Sequence, residues 1–220
     1  MNQSLFKLAS ITKKITISII GLFLAVFLLI HMGINLLTIC PIREHFDSAV
    51  EFMGSPVMKV MEIVLFAAFI LHIIVAILLW FQNKQARPIA YARSNESKTS
   101  FMSKYMIHTG MIILIFLILH FTHFFFVKVG LVQGIMNPVS GEPDFYTITQ
   151  NLFKSPLYSI IYLISFLALG FHLNHAIQAG FQSLGLNHTR YTPCIKKFST
   201  IYAVLITIGF ASIPLYFLFF

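Results

Sequence analysis

The chain has 220 residues, of which 58% are hydrophobic and only 10% charged, and a mean hydropathy of +0.85; that balance excludes a water-soluble globular surface. Fifteen Lys and Arg against seven Asp and Glu leave a net charge of +8. With 24 Phe and so few charges there is no hydrophilic face for a nucleic-acid patch, so the basic excess reads as membrane topology and no nucleic acid is expected as a partner. Cys40 and Cys194 alone make no disulfide framework, and the absence of a C-x-x-C-H run excludes covalent c-type haem.

Hydrocarbon about 30 Å thick demands about 20 apolar residues in a helix that satisfies its own backbone amides. Five stretches meet that length: 15–39, 57–81, 105–127, 156–181 and 198–220, each bounded by charges, Pro or a Ser/Asn/Gly-rich turn. The first is too long for a cleavable signal, and no small-residue cleavage site follows it. The predicted fold is therefore all-α: a single membrane domain over 1–220, an integral bundle of five transmembrane helices in a lipid bilayer, without internal repeat or linker.

Lys and Arg set the orientation. Lys7, Lys13 and Lys14 precede the first span; Lys84, Arg87, Arg93, Lys98 and Lys104 follow the second; Arg190, Lys196 and Lys197 precede the fifth. The opposite side holds only Arg43, Lys59, Lys128 and Lys154, together with Glu44, Asp47, Glu51, Glu62, Glu142 and Asp144. The N-terminus is thus expected in the cytoplasm and the C-terminus outside, in a cell inner membrane. This puts Cys40 and Cys194 on opposite faces. Neither long connection holds a catalytic domain: 82–104, with Pro88, either lies flat as a basic docking surface for a soluble partner or meets anionic lipid, and 128–155, with Pro138, Gly141 and Pro143, is a turn-rich link.

Six histidines fall inside the spans: His31, His72, His120, His123, His172 and His175. An ionisable group at membrane depth is expensive and points to function. At about 1.5 Å rise per residue, His31 lies about 24 Å from the inner start of the first span, and His120 on the third reaches nearly the same level. His72 and His172 lie about 22 Å below the outer starts of their inward-running spans, and share a deeper level. Two couples at two depths, His31 with His120 and His72 with His172, are what two six-coordinate, non-covalent b-type haems require as axial ligands. Zinc or copper would want Cys or carboxylate ligands at the same depth. A histidine proton relay does not call for matched couples. Ala76 and Ala176, four residues after His72 and His172, leave room for a macrocycle.

His123 and His175 stand three residues after His120 and His172, on nearly the same face, and periodicity does not decide which member of each couple binds metal. The partner imidazole either bonds a haem propionate, lines a quinone pocket or bonds a carbonyl. His108, with Thr109 and Ser18, is positioned at the inner end where propionates of the lower haem would reach. His45 and His188 read as interfacial.

Five spans in a chain of this length with histidines on the first four resemble the di-haem, type B cytochrome b membrane anchor of succinate dehydrogenases and fumarate reductases. The resemblance covers almost the whole chain and is carried by L-L-I-H-M-G-I-N around His31, F-I-L-H-I-I-V-A around His72, H-T-G ahead of L-I-L-H at His120, and F-H-L-N-H-A before F-Q-S-L-G after His172. It implies His120, ten residues after Gly110, and His172, followed by Ala176 and Gly185, as the ligands on the third and fourth spans. It pairs first with third and second with fourth span, and implies a flavoprotein partner with FAD, an iron-sulfur subunit on the inner side, and a quinone; with the quinone outside, the membrane potential contributes to the direction of electron flow, most of all for a low-potential menaquinone. An outer quinone site would draw on Glu51, Glu62, His45 or His123, since quinol oxidation needs a proton acceptor; Glu62 either serves there or pairs with Lys59. Some fumarate reductases of this type carry a Glu two residues before the fourth-span ligand; this chain has Gly170, so a proton path of that design is not expected. Two rival readings are a di-haem anchor of a hydrogenase or formate dehydrogenase, and a haem-free transporter.

Overall fold

A computed structural model describes residues 3–85, 105–138 and 140–220. The predicted connection with Arg87, Pro88, Arg93, Lys98 and Lys104 lies outside the described residues. Five helices are long and apolar enough to cross a membrane. In chain order the helices are α1 (Gln3–Leu36), α2 (Arg43–Met53), α3 (Pro56–Gln85), α4 (Met106–Lys128), α5 (Phe145–Phe153), α6 (Pro156–Ser183) and α7 (Thr192–Phe219).

Local chemistry sets their ends. Past α1 a tight turn, Leu37–Ile39, leads to Cys40, which the following Pro41 forces into an extended conformation (φ −73°, ψ 141°). Pro156 and Pro193 lie at the first position of α6 and the second of α7, within the first turn where no backbone donor is missed. Gly130 (φ 76°) and Gly185 (φ 89°) supply the left-handed residues that stop α4 and α6. The fifth span thus begins at Thr192, six residues earlier than hydropathy placed it. Pro193 starts the helix inside a polar stretch, and the Thr192 hydroxyl donates to the His188 carbonyl at 2.8 Å.

The connections at the α2 and α5 end also differ from expectation. Each contains a short helix, so the link over 128–155 is turn-rich only before Asp144. Neither α2, with 11 residues, nor α5, with nine, can span hydrocarbon. Each turns an apolar face inward: Phe46 on α2, and Thr149 and Phe153 one turn apart on α5, are buried. Asp144 caps α5 by accepting from the Thr147 amide at 3.1 Å.

Helices in lipid gain little from hiding apolar surface from a solvent that is itself apolar, so close packing of small residues holds them together. The tightest seam is α6 on α7. A Cβ on Gly170 would stand 2.2 Å from the Thr207 hydroxyl oxygen, and one on Gly209 would stand 2.2 Å from the Met32 sulfur of α1. A side chain at 170 would have to turn the Thr207 hydroxyl away from its Ala203 carbonyl or part the seam. Ser159 and Ser199 are fully buried there, their hydroxyls donating to the Phe153 and Ile195 carbonyls at 2.7 Å. The main cluster joins Tyr162, Phe166 and Leu173 of α6 to Ile206, Phe210, Ile213 and Phe217 of α7, with Ala25 and Met32 of α1. The other half is looser. Within their most apolar stretches, 33% of α6 and of α7 is buried, against 6% of α3 and of α4.

Candidate functional site

The loose half is where the intramembrane histidines gather. His31 of α1 faces His120 of α4, ring centres 5.9 Å apart and planes at 89°. His72 of α3 faces His172 of α6, with centres 6.5 Å apart and planes at 66°. Four helices each contribute one member, and α7 contributes none. An imidazole bound through one nitrogen at about 2 Å has its ring centre about 3 Å from the metal, so two imidazoles trans on one ion stand about 6 Å apart. Both couples have that spacing. It is too long for a direct hydrogen bond between rings.

The ring nitrogens add to this. Nδ1 of His72 and Nδ1 of His120 are buried with no hydrogen-bond partner among the described residues. Such a group costs about 1–3 kcal/mol unless something satisfies it. Across from His72, His172 is tethered. The Thr109 oxygen lies 3.2 Å from His172 Nδ1 while its hydroxyl proton goes to the Met106 carbonyl at 2.9 Å. The oxygen then accepts from Nδ1–H, which leaves Nε2 of His172 with its lone pair toward the couple. Tethering one nitrogen so that the other is a fixed donor is the way metal-binding imidazoles are oriented. Beside His31, the Asn35 amide donates to the His31 carbonyl at 2.8 Å and lies 3.4 and 3.5 Å from the two ring nitrogens, so it singles out neither.

Glycines and aromatic rings shape the walls. A Cβ on Gly21 of α1 would lie 3.5 Å from Cε1 of His72, and one on Gly110 of α4 would lie 3.6 Å from Cε1 of His172. Each deeper imidazole therefore rests on a bare backbone patch of the neighbouring helix. The other couple is enclosed by rings instead: Phe27 stacks on His31 at 5.2 Å, and Phe124 and Phe116 lie 5.0 and 5.7 Å from His120.

The structure separates the adjacent histidines that spacing left equivalent. The helix widens into a π turn over Phe121–Phe125, starting one residue after His120. His123 is thereby turned onto α6, where its Nδ1 meets the Tyr162 hydroxyl at 3.0 Å and its ring stacks on that tyrosine. His175 is half-buried beyond His172. Of the residues placed at the propionate end, Ser18 is buried and donates to the Lys14 carbonyl at 2.6 Å, whereas His108 is exposed against Tyr105. Tyr162 and Gly21 were not singled out from sequence. A tyrosine hydroxyl and a glycine inside apolar spans were the available signals, but neither type is rare enough in such helices to name a site.

At the α2 and α5 end, Glu62 pairs with Lys128 of α4 rather than with Lys59 on its own helix. Cys40 is a free thiol 3.9 Å from His45 Nδ1, and Cys194 is free and exposed. Arg43 clasps α2 to α5: it bonds Asp144 at 2.8 Å and Asp47 at 3.1 Å, over the Tyr146 ring at 4.9 Å. The bond to Asp144 raises Arg43 above its ordinary value. Partial burial works against ionised Asp144, but bonds from Thr147 and Arg43 outweigh it and hold the carboxyl below the usual carboxylate range.

No protein-family model, no curated protein and no solved structure matches the chain.

Proposed function

We propose that this chain is the di-haem cytochrome b membrane anchor of a succinate:quinone oxidoreductase, a succinate dehydrogenase or fumarate reductase, carrying electrons between an iron-sulfur subunit and a quinone, for which menaquinone is the choice. The observation that carries the reading is the presence of two imidazole couples, from four helices, with ring centres 5.9 and 6.5 Å apart, a spacing that leaves room for one metal ion between the rings of each. His31 and His120 would hold one haem b, and His72 and His172 the other. Bound there, the two haems would supply reversible one-electron chemistry across the thickness of the bilayer.

The chain's own residues orient and insulate. Thr109 orients His172, Asn35 lies beside the His31 ring, and Gly21 and Gly110 stand against the deeper rings. Phe27, Phe116 and Phe124 surround the other couple with apolar rings. The dicarboxylate chemistry belongs to a flavoprotein carrying FAD, docked through the iron-sulfur subunit on the cytoplasmic side. In this reading the N-terminus is cytoplasmic, the C-terminus is outside, and the chain lies in the cell inner membrane.

Quinone at the far end would find acid-base groups in Glu62 and Glu51. Glu62, paired with Lys128 of α4, and Glu51 are the carboxyl groups such a quinone would meet there. An electron crossing most of the bilayer couples to the membrane potential by about 2.3 kcal/mol per 100 mV.

The test is a reduced-minus-oxidised spectrum with haem quantitation on the complex purified through this chain. Two b haems per chain, with a flavoprotein and an iron-sulfur protein co-purifying, is the expected result. A haem-free complex overturns the reading. Two haems with a hydrogenase or formate dehydrogenase in place of the flavoprotein would keep the cytochrome and replace the enzyme.

A further inference from the structure

We propose that His123 and Tyr162 are positioning residues: together they form a latch between α4 and α6 that holds the wide turn after His120 and so sets the near-perpendicular arrangement of the His31 and His120 rings. This rests on the haem reading above, because it concerns the couple that would hold one of the irons.

In an uninterrupted α-helix a residue three positions on lies on nearly the same face, so His123 would crowd the gap between His120 and His31. The π turn places an extra residue in that stretch of helix. Everything after His120 is rotated, and His123 leaves the gap for α6. A π turn gives up regular helical bonding and persists where outside contacts favour it; such turns recur at functional sites. Here the outside contact is specific. The Tyr162 hydroxyl meets His123 Nδ1 at 3.0 Å, the two rings stack at 20°, and Tyr158 adds an edge contact at 5.0 Å.

Tyr162 is itself immobile. It is 2% exposed and meets Phe116, Phe153 and Phe166 edge-on at 4.9, 5.0 and 5.9 Å. Ser159, one turn earlier on α6, is bonded to the Phe153 carbonyl, which ties the same stretch to α5. A rigid post on the tightly packed helix thus grips the imidazole just beyond the proposed ligand. The His120 ring stands 6.3 Å from Tyr162 and 5.9 Å from His31, between the post and its partner. Release of the latch lets the turn relax toward ordinary helix, and the His120 plane rotates with it.

The low-spin ferric electron paramagnetic resonance signal of a bis-imidazole haem reports the angle between its ligand planes. The measurement is made on the purified complex with Tyr162→Phe, His123→Leu, the double variant, and His123→Gln, which keeps a side-chain amide for the tyrosine. The expected result is two haems per chain in all four. One signal moves toward its parallel-plane position by the same amount in Tyr162→Phe, His123→Leu and the double variant. His123→Gln recovers most of the shift, and the second signal stays in place throughout. Loss of that one haem alone from both single variants is the same effect carried to its limit and supports the latch. An unmoved signal at full haem content, shifts that add in the double variant, or loss of both haems from a folded chain overturns it. If the unaltered complex holds no haem the functional reading fails, and the latch is then judged by thermal unfolding. Equal drops in melting temperature for the single and double variants support a latch without haem, and additive drops overturn it.

Discussion

The two halves of the bundle solve opposite problems. The α6–α7 seam is closed by absent or small side chains, with Gly170 against Thr207 and Ser159 and Ser199 fully buried. Around α3 and α4 little is buried, and His72 and His120 each keep a buried Nδ1 with no hydrogen-bond partner among the described residues. A membrane chain has no hydrophobic force with which to close such a gap. One half is thus a closely packed scaffold and the other an open face carrying the histidine couples, with α1 and α6 belonging to both.

The largest effects are expected in the open half. His31→Ala or His120→Ala should remove one haem and leave the other, and His72→Ala or His172→Ala should do the converse. Haem quantitation with low-temperature spectra of each variant decides it; a variant that loses both or neither breaks the pairing. His123→Gln is expected to retain two haems.

Next comes the scaffold half. Gly170→Ala puts a Cβ where the Thr207 oxygen lies 2.2 Å away, which forces the seam apart and should cost about 1–3 kcal/mol, as overpacking does. Gly33→Ala is the control on α1: nothing lies within 4 Å of its new Cβ, and loss of a mid-helix glycine should stabilise by about 0.5–1 kcal/mol. Opposite shifts in melting temperature, measured in the same detergent, sharpen the contrast; equal shifts abolish it.

How much of this was legible in the sequence depends on which interactions carry it. Span existence rests on composition alone, and counting 1.5 Å per residue puts His31 level with His120 and His72 level with His172. Those are the rings that stand 5.9 and 6.5 Å apart. Helices α2 and α5 escaped because they are short and their apolar faces rest on one or two residues each. The choice between His120 and His123 was beyond periodicity because a π turn changes the periodicity itself, and the residue His123 meets there, Tyr162, is on another helix. Glu62 found Lys128 rather than Lys59 for the same reason: partner choice across helices depends on packing, which spacing along one helix does not contain.

The joint between the halves gives a smaller effect. Thr109 reaches from α4 to His172 on α6, and Thr109→Val keeps its shape while removing the oxygen. A lost neutral hydrogen bond of about 0.5–1.5 kcal/mol should appear as weaker orientation of His172 and a shifted reduction potential of the haem held by His72 and His172. The other haem is the internal standard. A redox titration in which both potentials move together would mean that Thr109 acts on the bundle rather than on one couple.

The smallest effect lies outside the hydrocarbon, where Arg43 clasps α2 to Asp144 at the head of α5. The Asp144 carboxyl titrates lower folded than unfolded, so its contribution is fully present above the ordinary carboxylate value of 3.8 and is lost as the pH falls through its lower folded value. The Arg43 side chain is 41% exposed, which screens the pair and limits the contribution to below about 1 kcal/mol. Acidification should therefore loosen α2 from α5 before it touches the buried couples, because water, and with it the proton, reaches the clasp first. Hydrogen exchange over residues 43–53 and 144–153, followed from neutral pH to pH 3, checks this. Protection lost there while the spans stay protected is expected, and Asp144→Asn should reproduce the loosening at neutral pH. Simultaneous loss across the spans would mean that the clasp is part of the scaffold rather than a cover laid over its open end.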